Sequence, residues 1–310
     1  MLQQAVRRIG FAALGVALLG ASLLAAPVVA GADGGHAGVV YTLSNASAGN
    51  SVLVFSRADG QVVSRTGSGG STPVSVTAAH DLVYVVNAGS SNISGYRLGG
   101  DGRLSPIAGS IRPLSGAGVG PAQISFDPEG ETLVVTEKAT SLIDTYTVGA
   151  QGAAQGPATH PSNGSTPFGF AFGAHDALIV SEAAHSAASS YRVGEHGGLQ
   201  LVSGSVFNGQ VAACWVATAR QFAYTADAHN GMISSYAVGH DGSLTLLQGM
   251  AGAPGGAPLD ESASRFGQFL YVLNPSTGVI NAFSIHNDGS LSALANTAGI
   301  PASASGLVAE

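Results

Sequence analysis

The sequence predicts an all-β fold, a six-bladed β-propeller whose blades are four-stranded antiparallel sheets. Two observations predict it. A unit occurs six times along the chain at spacings of 43 to 50 residues, and a repeat of this length made of short strands is typical of propeller blades. In addition, the chain ends on an isolated copy of the unit's first strand, as the closure of a ring would require.

Each unit is built around a run of β-branched and aromatic residues, the predicted second strand of its blade. The six runs begin at Val39, Leu82, Thr132, Ala177, Phe222 and Phe269. A third strand with an aromatic residue follows, and a glycine turn, Asp-Gly in four units, leads to the fourth strand. Asp-Gly tolerates the positive φ angles that tight hairpins need, so these strands are predicted to form an antiparallel meander.

The first strand of each unit precedes the β-branched run and is expected to line a channel. It starts with proline in four of the five units that contain it, and proline suits a strand start where no ladder donor is needed. The first unit lacks this strand, and the C-terminal IPASASGLVAE supplies one. We therefore expect residues 302–308 to pair with residues 39–43 and to close the ring, which would remove two exposed sheet edges.

The N-terminus predicts a secretory signal peptide over residues 1–30, followed by one propeller domain over residues 31–310. Arg7 and Arg8 precede an apolar run and a stretch of small residues, so we expect cleavage after Ala30 or Ala32. A membrane anchor is the alternative, but the run is short for a span and contains three glycines. The prediction is a secreted or periplasmic protein, monomeric and free of the membrane after cleavage.

The charge balance argues against a nucleic-acid partner. The chain has 18 Asp and Glu against 11 Lys and Arg, whereas phosphate binding needs clustered basic residues. Cys214 is the only cysteine, so no intramolecular disulfide can form. Because its segment is predicted to be a strand and no histidine is near in sequence, we expect a buried thiol and not a nucleophile. The expected partner is a small-molecule ligand.

The repeats LVYVVNAGSSNISGYRLGGDGRL, from Leu82, and FLYVLNPSTGVINAFSIHNDGSL, from Phe269, resemble the lactonase-type β-propeller family, which includes 6-phosphogluconolactonase and carboxymuconate cyclase. The segments LVVTEKATSLIDTYTV, STPFGFAF and VAACWV are similar to exported bacterial members. The resemblance implies a carboxylic ester hydrolase acting on a lactone. It also implies seven blades as the alternative to six. The family's His and Arg motifs have no copies here, so no catalytic residue is carried over.

Six equivalent positions at the ends of the second strands hold only Asn, Asp or Glu: Asn45, Asn87, Glu137, Glu182, Asp227 and Asn274. One interpretation is local, because such residues cap turns by bonding nearby backbone. The other is ligand binding, because carboxylates on adjacent blades repel each other. In that case Glu137, Glu182, Asp227 and Asp260 are predicted to surround one channel opening and to hold a divalent cation such as calcium, which takes several oxygen ligands.

Two columns of the first strands and a few loop residues complete the candidate set. Asp260 aligns with small or polar residues: Ser75, Gln123, Gly169, Ala213 and Ser303. Glu261 is an anomaly in an otherwise apolar column: Val76, Ile124, Phe170, Cys214 and Ala304. Further candidates for ligand contact are His185 and His229, in loops after second strands, His160, in a predicted loop between blades, and Lys138, which follows Glu137.

This set permits three kinds of site, and no cofactor is certain. The carboxylates could hold the calcium-like cation. The pairs Asp227–His229 and Glu182–His185 could bind a transition metal through mixed ligands. Alternatively, Glu182, Asp227 or His229 could act as general base on water attacking a lactone carbonyl, with Lys138 or the cation polarising its oxygen.

Two functions therefore remain open at the level of sequence. One is hydrolysis of an unphosphorylated lactone or small ester at the channel mouth. The other is a non-catalytic ligand-binding or scaffold role with a cation in the channel. We expect 6-phosphogluconolactone not to be a substrate, because a dianionic phosphate needs several converging Arg or Lys donors, and Lys138 is the only cation of the predicted polar ring.

Overall fold

The computed structural model describes residues 28–29, 39–47 and 49–309. Over this part the chain is almost entirely β-structure, with 26 strands and two short 3-10 turns at Ala174–Asp176 and Glu195–Gly197. No helix among these residues is long and apolar enough to cross a membrane. The predicted signal peptide lies outside the described residues except for Val28–Val29.

The strands form six sheets, which we call blades 1 to 6 in chain order. The strands of the first half of the chain are β1 (Val28–Val29), β2 (Val39–Ala46), β3 (Gly49–Ser56), β4 (Val62–Gly67), β5 (Pro73–Ala79), β6 (Leu82–Asn87), β7 (Asn92–Leu98), β8 (Leu104–Pro106), β9 (Arg112–Pro113), β10 (Pro121–Phe126), β11 (Thr132–Glu137), β12 (Leu142–Val148) and β13 (Ala154–Pro161). Those of the second half are β14 (Pro167–Phe172), β15 (Ala177–Glu182), β16 (Ala187–Val193), β17 (Leu199–Phe207), β18 (Ala213–Ala219), β19 (Phe222–Asp227), β20 (Met232–Val238), β21 (Leu244–Gly252), β22 (Asp260–Ala263), β23 (Phe269–Asn274), β24 (Val279–Ile285), β25 (Leu291–Ala293) and β26 (Thr297–Ala298).

Blades 3, 4 and 5 are regular four-stranded antiparallel meanders, formed by β10–β13, β14–β17 and β18–β21. In blades 2 and 6 the outer strand is broken into two pieces, so that β8 and β9 both pair with β7, and β25 and β26 both pair with β24. Within the described residues, blade 1 consists of β2, β3 and β4, and β1 pairs in parallel with β5 of blade 2. The all-β, propeller-like architecture of antiparallel four-stranded sheets is therefore confirmed.

The second strands begin at the six residues where the repeat predicts them, because β-branched runs between turn residues define them sharply. The hairpins after the third strands also have the predicted backbone. Gly102 and Gly242 have φ angles of 77° and 83°, in the left-handed region that glycine adopts without a steric penalty. The meander of each blade is thus encoded locally.

Buried aromatic residues of the third strands hold neighbouring blades together. Tyr96 on β7 donates a hydrogen bond from its hydroxyl to the carbonyl of Gly67 in blade 1, at 2.6 Å. Tyr146 on β12 does the same to Pro113 of blade 2, at 2.8 Å. Both rings are almost fully buried, so each supplies apolar area and satisfies its hydroxyl across the blade interface.

The first strands of blades 2 to 6 (β5, β10, β14, β18 and β22), here called inner strands, each contact the next one along the chain. Their edges away from the second strands have no strand partner among the described residues, except for β5, which pairs with the two-residue β1. Side chains of the neighbouring inner strand supply hydrogen-bond partners there. Ser75 Oγ accepts a hydrogen bond from the amide of Ile124, and Thr77 Oγ1 accepts one from Phe126, each at 3.2 Å. These bonds satisfy backbone groups that a bare sheet edge would expose.

The predicted C-terminal strand is not formed among the described residues. Residues 302–308 contain no strand, and none of them pairs with β2. Instead, the amide of Leu307 donates to Asp260 Oδ2 at 2.7 Å, and the amide of Ala309 donates to Ser262 Oγ at 3.0 Å. The segment is therefore held by two side chains of β22 that are two residues apart, and not by strand pairing. Strand β10 is held in the same way by two side chains of β5.

Candidate active site in the channel

The three predicted ring carboxylates are fully buried, and each is bonded inside its own blade. Glu182 accepts hydrogen bonds from the hydroxyls of Ser189 and Ser205. Asp227 accepts them from Asn208 Nδ2 at 2.8 Å and from Ser234 Oγ at 2.7 Å. All polar atoms of these two carboxyls are therefore satisfied by neighbouring strands and loops.

Glu137 has the same kind of environment in blade 3. Its Oε1 accepts the amide of Ser115 at 3.1 Å, and its Oε2 accepts the hydroxyls of Ser115, at 2.5 Å, and Thr140, at 2.7 Å. Ser115 belongs to the loop that precedes the inner strand of the blade, which we call the lead-in loop. Glu137 therefore fastens the lead-in loop of its blade.

The asparagines of the same column play the equivalent part. Asn87 Nδ2 donates to the carbonyl of Ser68 at 3.0 Å, and Asn274 Nδ2 donates to that of Gly255 at 2.5 Å. Asn45 Nδ2 donates to Pro73 O, at the start of β5, at 3.1 Å. The local interpretation of this column, in which polar side chains bond nearby backbone, is the one that the contacts support.

Glu137, Glu182 and Asp227, which were predicted to surround one opening together with Asp260, are each buried inside a blade. The first three point into blade interiors, because the residue ending a second strand meets the lead-in loop. No group of three His, Cys, Asp or Glu side chains within the described residues is arranged to hold a metal ion. Binding of a calcium-like cation by these carboxylates therefore stays a prediction.

Asp144 is a buried acid that the sequence analysis missed. It lies on β12, seven residues after Glu137, and the amide of Ser115 donates to its Oδ2, at 2.9 Å, as well as to Glu137. Burial and the neighbouring Glu137 carboxylate raise the pKa of Asp144 to about 7. A signal was present, because the corresponding third-strand position is polar in every blade from 2 to 6: Ser94, Asp144, Ser189, Ser234 and Asn281.

The loop histidines and Lys138 do not converge on one another. His185 and His229 are exposed, and the ring of His185 meets Phe207 edge-on. His160 lies on the outer strand β13 and not in a loop between blades, with its Nε2 at 3.0 Å from Gly197 O. The two predicted mixed Asp/Glu–His metal pairs, with His185 and His229, therefore combine one buried carboxylate with one exposed ring.

Lys138 and Cys214 lie near each other at the aromatic start of the inner strands. The ammonium of Lys138 is 4.6 Å from the ring centre of Phe168, which meets Trp215 edge-on. Burial lowers the pKa of Lys138 and raises that of the Cys214 thiol to about 11. The thiol therefore stays protonated at neutral pH, as expected for a structural cysteine.

A cavity of about 400 Å³ lies along the inner strands. It extends from Gln123 and Asp260 to the turn residues His80 and Asp127, and the C-terminal segment forms part of its wall. Gln123 bonds both backbone groups of Phe170, each at 2.9 Å. Of the candidate residues from the sequence, Gln123, Asp260 and the anomalous Glu261 line this space.

The register of the inner strands corrects one of the predicted columns. Ser75 pairs with Val86, Trp215 with Ala226 and Asp260 with Leu273, in each case one residue before the end of the second strand. Trp215 and not Ala213 therefore occupies the position of Asp260 in blade 5. The alignment slipped by two residues because blade 5 lacks the proline that marks the strand start elsewhere.

The C-terminal segment and the apolar column shift in the same way. Val216 and not Cys214 corresponds to Glu261 in blade 5, because Val216 pairs with Thr225. At the C-terminus, Leu307 and not Ala304 has the contact to the preceding inner strand that Ile124 has in blade 3. After this correction Glu261 is still a polar residue in a column that is apolar in the other blades.

Asp260 and Glu261 give the cavity two adjacent buried acids with different surroundings. Asp260 accepts hydrogen bonds from the amides of Glu261, at 2.8 Å, and Leu307, and burial raises its pKa to about 7. Glu261 Oε1 accepts the amide of Ala217 at 3.1 Å, whereas its Oε2 is buried without a partner. Burial, followed by the charges of Asp227 and Asp260, raises the pKa of Glu261 well above its ordinary value.

This arrangement offers an acid and a base side by side. The pKa of Asp260 lies near neutrality and that of Glu261 is raised well above its ordinary value, so burial makes both acids hold a proton more tightly than exposed carboxyls do. The described lining also contains aromatic and hydroxyl side chains but neither Lys nor Arg. The cavity therefore suits a neutral polar molecule better than an anion.

Comparisons with known proteins place the chain among propellers. Residues 77–216 match the model of a family described as the lactonase seven-bladed β-propeller. No curated protein matches the sequence. A protein from Bacteroides uniformis assigned as a 6-phosphogluconolactonase aligns with a TM-score of 0.74 and 19% identity, over 93% of this chain and 88% of its own.

Two further solved structures show how widely the fold is used. The periplasmic gluconolactonase PpgL from Pseudomonas aeruginosa aligns with a TM-score of 0.72 and 14% identity, over 86% of this chain and 83% of its own. An inactive variant of virginiamycin B lyase from Staphylococcus aureus, solved with quinupristin, aligns with a TM-score of 0.63 and 13% identity, over 90% of this chain and 86% of its own. At these identities the likeness establishes the fold and not the reaction.

Proposed function

We propose that this chain, whose residues 77–216 match the lactonase seven-bladed β-propeller family, hydrolyses an unphosphorylated lactone or small ester inside the channel. The observation that carries the proposal is the adjacent pair Asp260 and Glu261 in the wall of the cavity. The reaction is placed within the channel and not at its mouth, because the carboxylates expected at the mouth are buried within blades.

Asp260 is the proposed general base. Its carboxylate takes a proton from a water molecule while the water oxygen attacks the carbonyl carbon of the ester. The tetrahedral intermediate then collapses, the carbon–oxygen bond to the leaving alcohol breaks, and the proton passes from Asp260 to the alkoxide. The product of a lactone is the open hydroxy acid, and the water supplies every atom that is added.

Glu261 is the proposed hydrogen-bond donor to the carbonyl oxygen. Burial and two neighbouring carboxylates disfavour its charged form and raise its pKa, which favours the protonated form that can donate. Its Oε2 has no partner among the described residues, and an unbonded buried polar atom costs free energy until a ligand satisfies it. Donation to an oxygen that becomes negative would stabilise the transition state.

The absence of a phosphate from the substrate follows from the charge of the cavity. Its described lining has the acids Asp127, Asp260 and Glu261 and no Lys or Arg. A phosphate dianion would find no charge-assisted donor there and would be repelled by the acids. The name of the Pseudomonas neighbour, a gluconolactonase, is consistent with an unphosphorylated sugar lactone.

Hydrolysis of δ-gluconolactone and of 6-phosphogluconolactone by the purified protein tests the proposal. We expect turnover of the first above its spontaneous rate and none of the second. The Asp260→Asn variant should lose a factor of about 10² or more in kcat, the contribution of a general base. The wild-type rate, corrected for spontaneous hydrolysis, should rise with pH to a plateau, with its midpoint near 7, because the base acts only when ionised.

Glu182→Gln is the matched control. The sequence marks Glu182 and Asp260 equally, but Glu182 is bonded inside blade 4, so its variant should keep the wild-type kcat even if it is less stable. Loss of activity in Glu182→Gln and not in Asp260→Asn would contradict the assignment. Tight binding of a lactone without turnover would instead support a non-catalytic ligand-binding propeller.

We also propose that the ring has six blades and is closed by the C-terminal segment. In support, the amides of Leu307 and Ala309 donate to side chains of β22, just as the amides of Ile124 and Phe126 donate to side chains of β5. An inner strand of blade 1 would make the same contacts. Export to the periplasm or medium as a monomer completes the proposal. It is supported by the N-terminal sequence pattern and by the periplasmic location in the name of one structural neighbour.

A further inference from the structure

Two exposed histidines from adjacent blades stack on each other away from the channel cavity. His175 lies in the 3-10 turn before β15 of blade 4, and His240 lies in the hairpin between β20 and β21 of blade 5. Their ring centroids are 3.9 Å apart and the ring planes differ by 24°. Nothing in the sequence indicates this pair, because 64 residues lie between the two histidines and they belong to different repeats.

The backbones of the two turns are tied together below the rings. Arg192, on β16, donates from Nη1 to the carbonyl of His175 at 3.1 Å and from Nη2 to that of His240 at 3.3 Å. The hairpin of blade 5 also packs closely on blade 4, since a Cβ on Gly242 would lie 3.4 Å from Ala177 Cβ. The backbone positions of the two histidines are therefore fixed relative to each other.

We propose that His175 and His240 together bind one divalent transition metal ion of the Cu²⁺, Ni²⁺ or Zn²⁺ class. Neutral imidazole nitrogen is a preferred ligand for these ions and a poor one for calcium or magnesium. Because both side chains are exposed, rotation about their side-chain bonds can turn one nitrogen of each ring toward a common point. The fixed backbone reduces the entropy that is lost when the two ligands converge.

The surroundings contain two acids beside the positive charge of Arg192 and leave the site open. Asp176 and Asp241 directly follow the two histidines and are exposed, so they add negative potential without having to act as ligands. No third His, Cys, Asp or Glu completes a cluster in the part of the chain that the structure describes. Water would fill the remaining positions, which predicts an exchangeable ion that links blades 4 and 5.

Calorimetric titration of untagged protein with CuCl₂, NiCl₂ and ZnCl₂ tests this inference, with CaCl₂ as the comparison salt. We expect one ion per chain, tighter binding of Cu²⁺ than of Ni²⁺ or Zn²⁺, and no binding of Ca²⁺ at the same concentrations. His175→Ala and His240→Ala should each weaken binding at least tenfold, and the double variant should bind no more weakly than either single variant.

His196→Ala is the matched control, because His196 is also exposed in a 3-10 turn, with φ 59° against 57° for His175. It should bind the metal like the wild type. The inference is overturned if either single variant binds like the wild type, or if the wild type binds no more tightly than the double variant. If the rings only stack, the His175 and His240 variants will differ from the wild type in thermal stability in metal-free buffer, and added zinc will stabilise none of the proteins. If the two rings share an ion, zinc will raise the Tm of the wild type and of His196→Ala, which keep both rings, and not that of the other variants.

Discussion

At the scale of single residues, the surroundings of a carboxyl group decide its role. Glu182 and Asp227 receive hydroxyl or amide donors on both oxygens within one blade and serve as internal ties. Asp260 instead receives two backbone amides at the channel edge, where a small molecule can reach the same space. Sequence reasoning identified these acids as unusual but could not separate them, because burial and bonding partners come from distant strands.

The Asp144–Glu137 pair shows the same effect in terms of stability. The pKa of Asp144 in the folded protein is about 7, above its ordinary value of 3.8, so the folded state holds this proton more tightly than the unfolded chain does. Its contribution to stability is complete below about pH 4 and is lost as the pH rises to 7 and beyond. At alkaline pH two charged carboxylates must share one buried site.

Replacement of Asp144 by Asn should therefore stabilise the protein at pH 8 relative to the wild type, and much less so at pH 5. The amide is neutral at both values and can donate to the Glu137 carboxylate. A gain of about 1 kcal/mol would raise Tm by roughly 2–4 °C for a domain of this size. Thermal melts across this pH range measure the difference.

The exposed hairpin variant Asp101→Asn serves as the control, because it also replaces a carboxyl by an amide but leaves the buried pair intact. If the melting curves of Asp144→Asn and the wild type stay parallel between pH 5 and pH 8, the pair does not share a buried proton. A variant that is unstable at every pH would show that the Thr159 and Ser115 bonds to Asp144 outweigh the charge effect.

At the scale of elements, the strands that the sequence predicts best are those whose signals are local. The second strands and the Asp-Gly hairpins follow from β-branched runs and from positive φ angles, and all six second strands begin as predicted. The inner strands were aligned on a starting proline, which blade 5 lacks, so Trp215 was missed as a lining residue. The C-terminal segment failed as a predicted strand because side chains of β22, and not backbone pairing, hold it.

Deletion of residues 307–310 tests the role of this segment. The deletion removes the two amide donors to Asp260 and Ser262 and opens the inner edge beside β22. An exposed strand edge promotes association between chains, so we expect a lower Tm and aggregates on size-exclusion chromatography. Deletion of Glu310 alone is the control and should behave like the full chain. A truncated protein that is as stable and monodisperse as the full chain would refute closure by this segment.

At the scale of the whole molecule, the candidate site is built by several blades together. Its lining comes from the inner strands of blades 2 to 6 and from the C-terminal segment, which no single repeat could indicate. The described residues form six sheets, whereas the matching family is described as seven-bladed. The overall architecture was therefore predictable from the repeat, but the position of the site depended on which residues of distant repeats share the channel.

The first 30 residues form the part of the chain that we expect the mature protein to lack. Arg7 and Arg8, the apolar run after them and the small residues before Gly31 are typical of a cleaved secretory signal. Cleavage after Ala30 would also remove β1, whose only described pairing is the two-residue parallel bridge to β5, so the antiparallel blades would stay intact. Intact-mass measurement of protein recovered from the periplasm or medium of an expressing bacterium should give an N-terminus at Gly31 or Asp33. Recovery of exported protein that retains Met1, or of uncleaved protein confined to the membrane fraction, would show that the segment is an anchor.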